Sequence, residues 1–149
     1  MKRMAEQTEG QIQIDASPEV VLGVISDYEA YPKWAEGIKK AEVKKKDSKG
    51  RPAEVTFEVS QMGVGATYTL AYRYKAKVRG VSWTTTSASG AVKDIKGEYV
   101  LEASSGGTKV TYRTTIELAI PMMGFMKRRA EKMIIGTALG GLKKRVESG

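Results

Sequence analysis

The chain has 149 residues, 41% hydrophobic and 28% charged, with no His and no Cys. That length suits one domain with a substantial core. The missing side chains exclude disulfides, thiolate nucleophiles, imidazole general bases and most zinc sites. A net charge of +8 fits either an anionic partner or a basic protein surface with no partner.

Residues 1–8 read as a frayed tail and 9–147 as a single domain. The basic N-terminus Met1–Gln7 has no apolar stretch behind it. The longest apolar run, 118–126, contains Pro121 and Gly124. Neither is a signal peptide or a membrane span, so a cytoplasmic protein is expected. Gln11 to Asp15 alternates as a strand does. Ser17-Pro18-Glu19 is a helix start: a side-chain cap, a proline at the first helical position and an acid near the dipole's positive end. Val20, Val21, Val24, Ile25 and Tyr28 then form an apolar stripe. Tyr31-Pro32-Lys33-Trp34 begins a second short helix.

From Ile38 to Ile120 the pattern has period two. Asp47-Ser48-Lys49-Gly50 is a turn. Val55, Phe57 and Val59 alternate with polar residues, and Gly63 and Gly65 break the run. Tyr68, Leu70, Tyr72 and Tyr74 alternate next, followed by a turn at Arg79-Gly80 and a strand through Trp83. Gly90 precedes a strand with Tyr99 and Leu101. After Ser104-Ser105-Gly106-Gly107 comes a long alternation through Val110, Tyr112, Thr114, Ile116, Leu118 and Ile120. Short turns between such strands predict an antiparallel meander. Pro121 opens a final helix to about Val146. One side of it is predicted to carry Met122, Met123, Met126, Ala130, Met133, Ile134, Thr137, Ala138 and Gly141. The order is strand, two short helices, six strands and a long helix. In this α+β arrangement the last helix can bury a stripe only by lying across the sheet.

That order, with Ile14-Asp15-Ala16-Ser17-Pro18-Glu19-Val20-Val21, Asp27-Tyr28-Glu29-Ala30-Tyr31-Pro32-Lys33-Trp34, Gly50-Arg51-Pro52-Ala53-Glu54-Val55, Val81-Ser82-Trp83 and Ala138-Leu139-Gly140-Gly141-Leu142-Lys143-Lys144-Arg145, resembles the START-like (SRPBCC) superfamily. The likeness is to its polyketide cyclase/dehydrase and lipid-transport group, and within that to small actinobacterial-type members. It covers roughly residues 9–147. The resemblance implies a helix-grip fold. In that fold a curved seven-stranded antiparallel sheet wraps a long C-terminal helix and encloses an elongated apolar cavity.

On that reading Trp34, Phe57, Val59, Leu70, Tyr72, Trp83, Tyr99, Tyr112, Met122, Met126 and Met133 are the candidate ligand-binding residues. The flexible thioethers suit a pocket that adapts, and buried phenols offer hydroxyls to a ligand. Each also has a purely structural reading. The methionines can be core filling, the tyrosines strand residues whose hydroxyls reach the surface, and Trp34 an anchor rather than a lid. Asp27 is expected to cap the chain into the Tyr31-Pro32 turn, with Arg73 and Arg113 facing solvent. No metal, cofactor or catalytic residue is expected, since no carboxylate cluster, phosphate loop or dinucleotide fingerprint is present.

The expected partner is a small hydrophobic molecule such as a lipid, polyketide or isoprenoid, bound or transported by a monomer. The alternatives are a polyketide aromatase/cyclase-type enzyme and a ribosome-association toxin-like protein acting through basic surfaces. Two such surfaces exist, at 39–51 and along the last helix. Both fit an anionic membrane better than nucleic acid or the ribosome, because no aromatic residues interleave with the charges.

Overall fold

The structure is a computed structural model that describes residues 8–61, 64–75, 80–119 and 124–148. The chain runs β1 (Thr8–Ile14), α1 (Pro18–Ile25), a 3-10 turn (Tyr28–Ala30), α2 (Tyr31–Trp34), β2 (Ile38–Lys46), β3 (Pro52–Gln61), β4 (Val64–Lys75), β5 (Gly80–Gly90), β6 (Val92–Ser104), β7 (Gly107–Leu118) and α3 (Gly124–Ser148). All seven strands form one antiparallel sheet in the order β1-β7-β6-β5-β4-β3-β2. This is the helix-grip architecture expected from the sequence. Thr8 lies inside β1, paired with Thr114.

Local chemistry accounts for the element ends. The Ser17 hydroxyl accepts a hydrogen bond from the Val20 amide, and Pro18 fills the first turn of α1. α1 buries Pro18, Val21 and Ile25 but leaves Val20 52% exposed, so its stripe is narrower than predicted. Asp47 closes the β2–β3 turn by accepting hydrogen bonds from the amides of Lys49 and Arg51, both at 2.9 Å. Asp27 occupies the cap position of the 3-10 turn but makes no side-chain capping bond, which corrects the role expected for it. Arg73 is exposed. Arg113 is held on the outer face by Glu9 at 2.6 Å and Glu98 at 3.1 Å.

The long helix departs most from expectation. Its buried side is Glu131, Ile135, Leu139, Leu142 and Val146, spaced i, i+4, i+8, i+11 and i+15. This side packs on β1 and β7, with α1 and α2 at the far end of the helix. The closest approach is at Gly10, where an added methyl would collide with Ile135 and press on Leu139, so the crossing requires glycine there. Met133 is 60% and Ile134 41% exposed, and Thr137 is exposed too. The predicted stripe is therefore rotated away from the sheet seam. The reason is a single acidic residue in the true stripe. Glu131 is 2% exposed, accepting a hydrogen bond from the Thr8 hydroxyl at 2.7 Å and another from the Ile116 amide at 2.9 Å. The Glu131 carboxylate thus gives the buried Ile116 amide its acceptor.

Candidate ligand-binding interior

Alternation along β3 to β7 places Phe57, Tyr68, Leu70, Tyr72, Trp83, Tyr99 and Tyr112 on the concave face, in register across strands. Phe57 pairs with Tyr68, Tyr72 with Trp83, and Tyr99 with Tyr112. The Trp83 ring lies over Gly97, where a Cβ would stand 2.9 Å from the indole, so this strand position leaves room for the ring. The 3-10 turn and α2 add Tyr28, Tyr31 and Trp34.

The rings form one continuous path. Trp34 meets Tyr31 at 4.9 Å between centroids, and Tyr31 meets Tyr28 at 5.4 Å. Tyr28 stacks on Tyr72 at 4.3 Å, and Tyr72 leads to Trp83 at 6.0 Å. Trp83 touches Tyr99 at 5.5 Å, and Tyr99 touches Tyr112 at 4.7 Å. Phe57 branches from Tyr28 and Tyr31 toward Tyr68. Such pairs contribute about 0.5–1.5 kcal/mol each beyond area burial. No member of this path carries a charge.

The phenols divide into two groups. Tyr31 donates to the Ile25 carbonyl at 2.5 Å, and Tyr74 donates to the Pro52 carbonyl at 2.8 Å and lies 3.3 Å from the Tyr28 hydroxyl. These fasten the α1–α2 segment to the sheet. The hydroxyls of Tyr68, Tyr72 and Tyr99 make no hydrogen bond to any described residue. Burial, with neighbouring phenols adding to it, pushes Tyr31, Tyr72 and Tyr99 well above the ordinary phenol range. Burial raises Tyr68 as well, and Tyr112 to about 12, with Thr114 beside it holding the rise back. Yet Tyr68, Tyr72 and Tyr112 are only half-buried in surface terms, and no fully buried side-chain polar atom among the described residues lacks a partner. These hydroxyls are thus enclosed by protein and still reachable by water.

α3 meets this region at Gly141. Gly141 abuts Trp34, a Cβ there lying 3.6 Å from the indole ring. Ile134, seven residues earlier, lies on the same line of the helix, with Ala130 and Ala138 beside it. Ile134 stays 41% exposed and Ala130, Ala138 and Gly141 half-buried.

Of the residues singled out from sequence, Trp34, Phe57, Val59, Leu70, Tyr72, Trp83, Tyr99 and Tyr112 all belong to the core or pack directly on it. Met133 is not brought to them. Met122 and the side chain of Met126 fall outside the described residues. The sequence reading missed Tyr28, Tyr31 and Glu131. The spacing of three among Tyr28, Tyr31 and Trp34 was the available signal for the first two. An open cleft of about 540 Å³ lies elsewhere, between the 3-10 turn and the β2–β3 hairpin, lined by polar residues including Asp27, Glu29 and Lys44 to Lys46. Among the described residues no group of His, Cys, Asp and Glu is arranged to hold a metal ion, and no helix is long and apolar enough to cross a membrane.

A curved antiparallel sheet gripping a C-terminal helix, with an aromatic concave face, is the START-like helix-grip fold. More narrowly, residues 5–147 match the family described as polyketide cyclase / dehydrase and lipid transport, and the chain belongs to that family. No curated protein matches it by sequence. Among solved structures it is similar to a START superfamily protein from Mycobacterium smegmatis, with TM-score 0.87 and 20% identity over 95% of this chain and 97% of the other. It is also similar to the Zhui aromatase/cyclase from Streptomyces sp. R1128, with TM-score 0.77 and 13% identity over 97% and 94%. A STAR-related lipid transfer protein from Xanthomonas axonopodis gives TM-score 0.68 and 16% identity over 95% and 85%. At these identities the likenesses establish the fold.

Proposed function

We propose that the protein binds a small, neutral, hydrophobic molecule bearing a hydrogen-bond acceptor, held between α3 and the concave face of the sheet. The observation that carries this reading is the set of enclosed but unpartnered hydroxyls on Tyr68, Tyr72 and Tyr99. A solid core would bury them with partners or exclude them. The raised phenols keep their protons at neutral pH and act as donors, and a carbonyl or ether oxygen satisfies them. The lack of a charged group in the ring path disfavours a carboxylate or phosphate buried there. Each 100 Å² of ligand apolar area removed from water contributes about 2.5 kcal/mol, while the donors set orientation.

The residues proposed to line the site are Trp34, Phe57, Val59, Leu70, Tyr72, Trp83, Tyr99 and Tyr112 from the sequence reading, with Tyr68 and Ile134 added. The family description and the lipid transfer relative support a carrier role, in which the cargo is a lipid, polyketide or isoprenoid. A cyclase would need a group able to take a proton. Phenols pushed above their usual range donate and do not abstract near neutral pH, which favours binding over catalysis. Native mass spectrometry of the chain purified from its own host is expected to show a neutral adduct in one-to-one ratio. Absence of any adduct, together with failure to bind neutral apolar dyes, would overturn the reading.

A further inference from the structure

The sheet order leaves the β2 edge without a second strand partner, although the 3-10 turn and α2 pack beside part of it. β1 lies under α3, whereas β2 at the other end pairs only with β3. An open edge presents a row of unpaired amides and carbonyls, with which an extended chain can pair. β2 has nine residues, an edge of roughly 30 Å.

This edge is strongly cationic. Lys39, Lys40, Lys44, Lys45 and Lys46 stand exposed along it, and Lys49 and Arg51 follow in the turn, opposed within the segment by Glu42 and Asp47. Glu42 takes Lys44 at 2.7 Å, Glu54 takes Lys45 at 3.6 Å and Asp47 takes Arg51 at 2.8 Å. Lys39, Lys40, Lys46 and Lys49 have no ion-pair partner among the described residues. The open cleft of about 540 Å³ runs beside the strand. Within it a Glu29 carboxylate oxygen accepts a hydrogen bond from the Val43 amide at 3.0 Å. A carboxylate from within the chain thus occupies an edge amide that an added strand would use.

We infer that the β2 edge docks an extended acidic segment of a partner protein as an eighth strand. The lysine row repels a second copy of β2 and admits a chain of opposite charge, so the same charges set specificity in both directions. A lipid surface is disfavoured because the exposed large apolar side chains among the described residues, Val20, Met133 and Ile134, all lie off this edge. Nucleic acid gains nothing from edge amides. This inference does not depend on the proposed interior ligand.

The test uses the intact chain and a synthetic peptide alternating Glu with Val. A second peptide of the same sequence has alternate backbone amides N-methylated, so that it keeps the charge but cannot pair. Anisotropy titrations are expected to show binding that weakens with salt, about tenfold weaker binding for the methylated peptide, and a similar loss in Lys40→Glu/Lys46→Glu. Glu29→Asp keeps the charge but shortens the reach, which frees the Val43 amide, and it is expected to tighten binding by about threefold. Equal binding of the two peptides, no binding of either, or binding confined to phosphatidylglycerol vesicles would overturn the inference.

Discussion

Replacing Glu131 separates a structural carboxylate from a surface one. The side chain is 2% exposed and accepts hydrogen bonds from the Thr8 hydroxyl and the Ile116 amide. Glu131→Ala strands both donors in the interior and opens a void. Charged hydrogen bonds of this kind contribute about 1.5–3 kcal/mol each, and a stranded donor costs about 1–3 kcal/mol. A loss of about 3–5 kcal/mol is therefore expected. Glu131→Gln keeps the shape. Its carbonyl can still accept from the Ile116 amide, and its NH2 can donate to the Thr8 hydroxyl, which is able to turn and accept. It also removes a buried charge, so the cost should stay within about 1 kcal/mol. Urea denaturation of the three proteins measures both differences. An alanine cost below about 1 kcal/mol, or a glutamine cost equal to that of alanine, would refute the assignment of Glu131 as the buried acceptor for Thr8 and Ile116.

Alkaline stability follows from the phenols. Those of Tyr31, Tyr72 and Tyr99 sit well above their unfolded value and that of Tyr112 at about 12, so the folded state holds protons that the unfolded chain releases near pH 10. Their contribution is complete below pH 10 and declines above it, by about 1.4 kcal/mol per pH unit for each tyrosine. Unfolding monitored by circular dichroism should therefore coincide with phenolate absorbance, and early phenolate absorbance in a still-folded protein would contradict the burial. Tyr72→Phe and Tyr99→Phe should each weaken a carbonyl-bearing apolar ligand by about two- to tenfold while leaving a pure hydrocarbon unaffected. Isothermal titration with matched ketone and hydrocarbon probes checks this, and equal losses for both would remove the donor role. Trp34 touches Tyr31 and Gly141, at the junction of α2 and α3. Trp34→Ala is expected to speed release of a bound dye several-fold in stopped-flow measurements, and an unchanged rate would place the access route elsewhere.

The meander was legible because period-two alternation is a local signal, and the structure keeps it from Val55 to Leu118. The aromatic face followed directly, since Phe57, Tyr72, Trp83, Tyr99 and Tyr112 all sit at inward positions of their strands. The helix phase was not legible in the same way. α3 has two apolar sides, one closing on β1 and β7 through Ile135, Leu139 and Leu142, the other holding Ile134, Ala138 and Gly141, the last of which abuts Trp34. Periodicity alone does not say which side meets the sheet. The buried position of Glu131 masked the seam, because a carboxylate marks a solvent face unless donors from distant strands are known to meet it. Gly10 held the missing information, but its meaning depends on Ile135, 125 positions away. The basic run at 39–51 was visible, yet its place on an open edge comes only from the strand order.

The claim that the interior binds a neutral apolar molecule is tested most directly through Trp83. The sequence has two tryptophans, so Trp34→Phe leaves Trp83, which touches Tyr72, Tyr99 and Tyr112, as the sole tryptophan, excited selectively on the red side of tyrosine absorption. Titrating this variant with a neutral apolar dye at high salt should quench Trp83 emission saturably, with one dye bound per chain. Quenching that grows linearly without saturating, or no quenching while the variant remains folded, would mean that no ligand site adjoins Trp83 and would contradict the account.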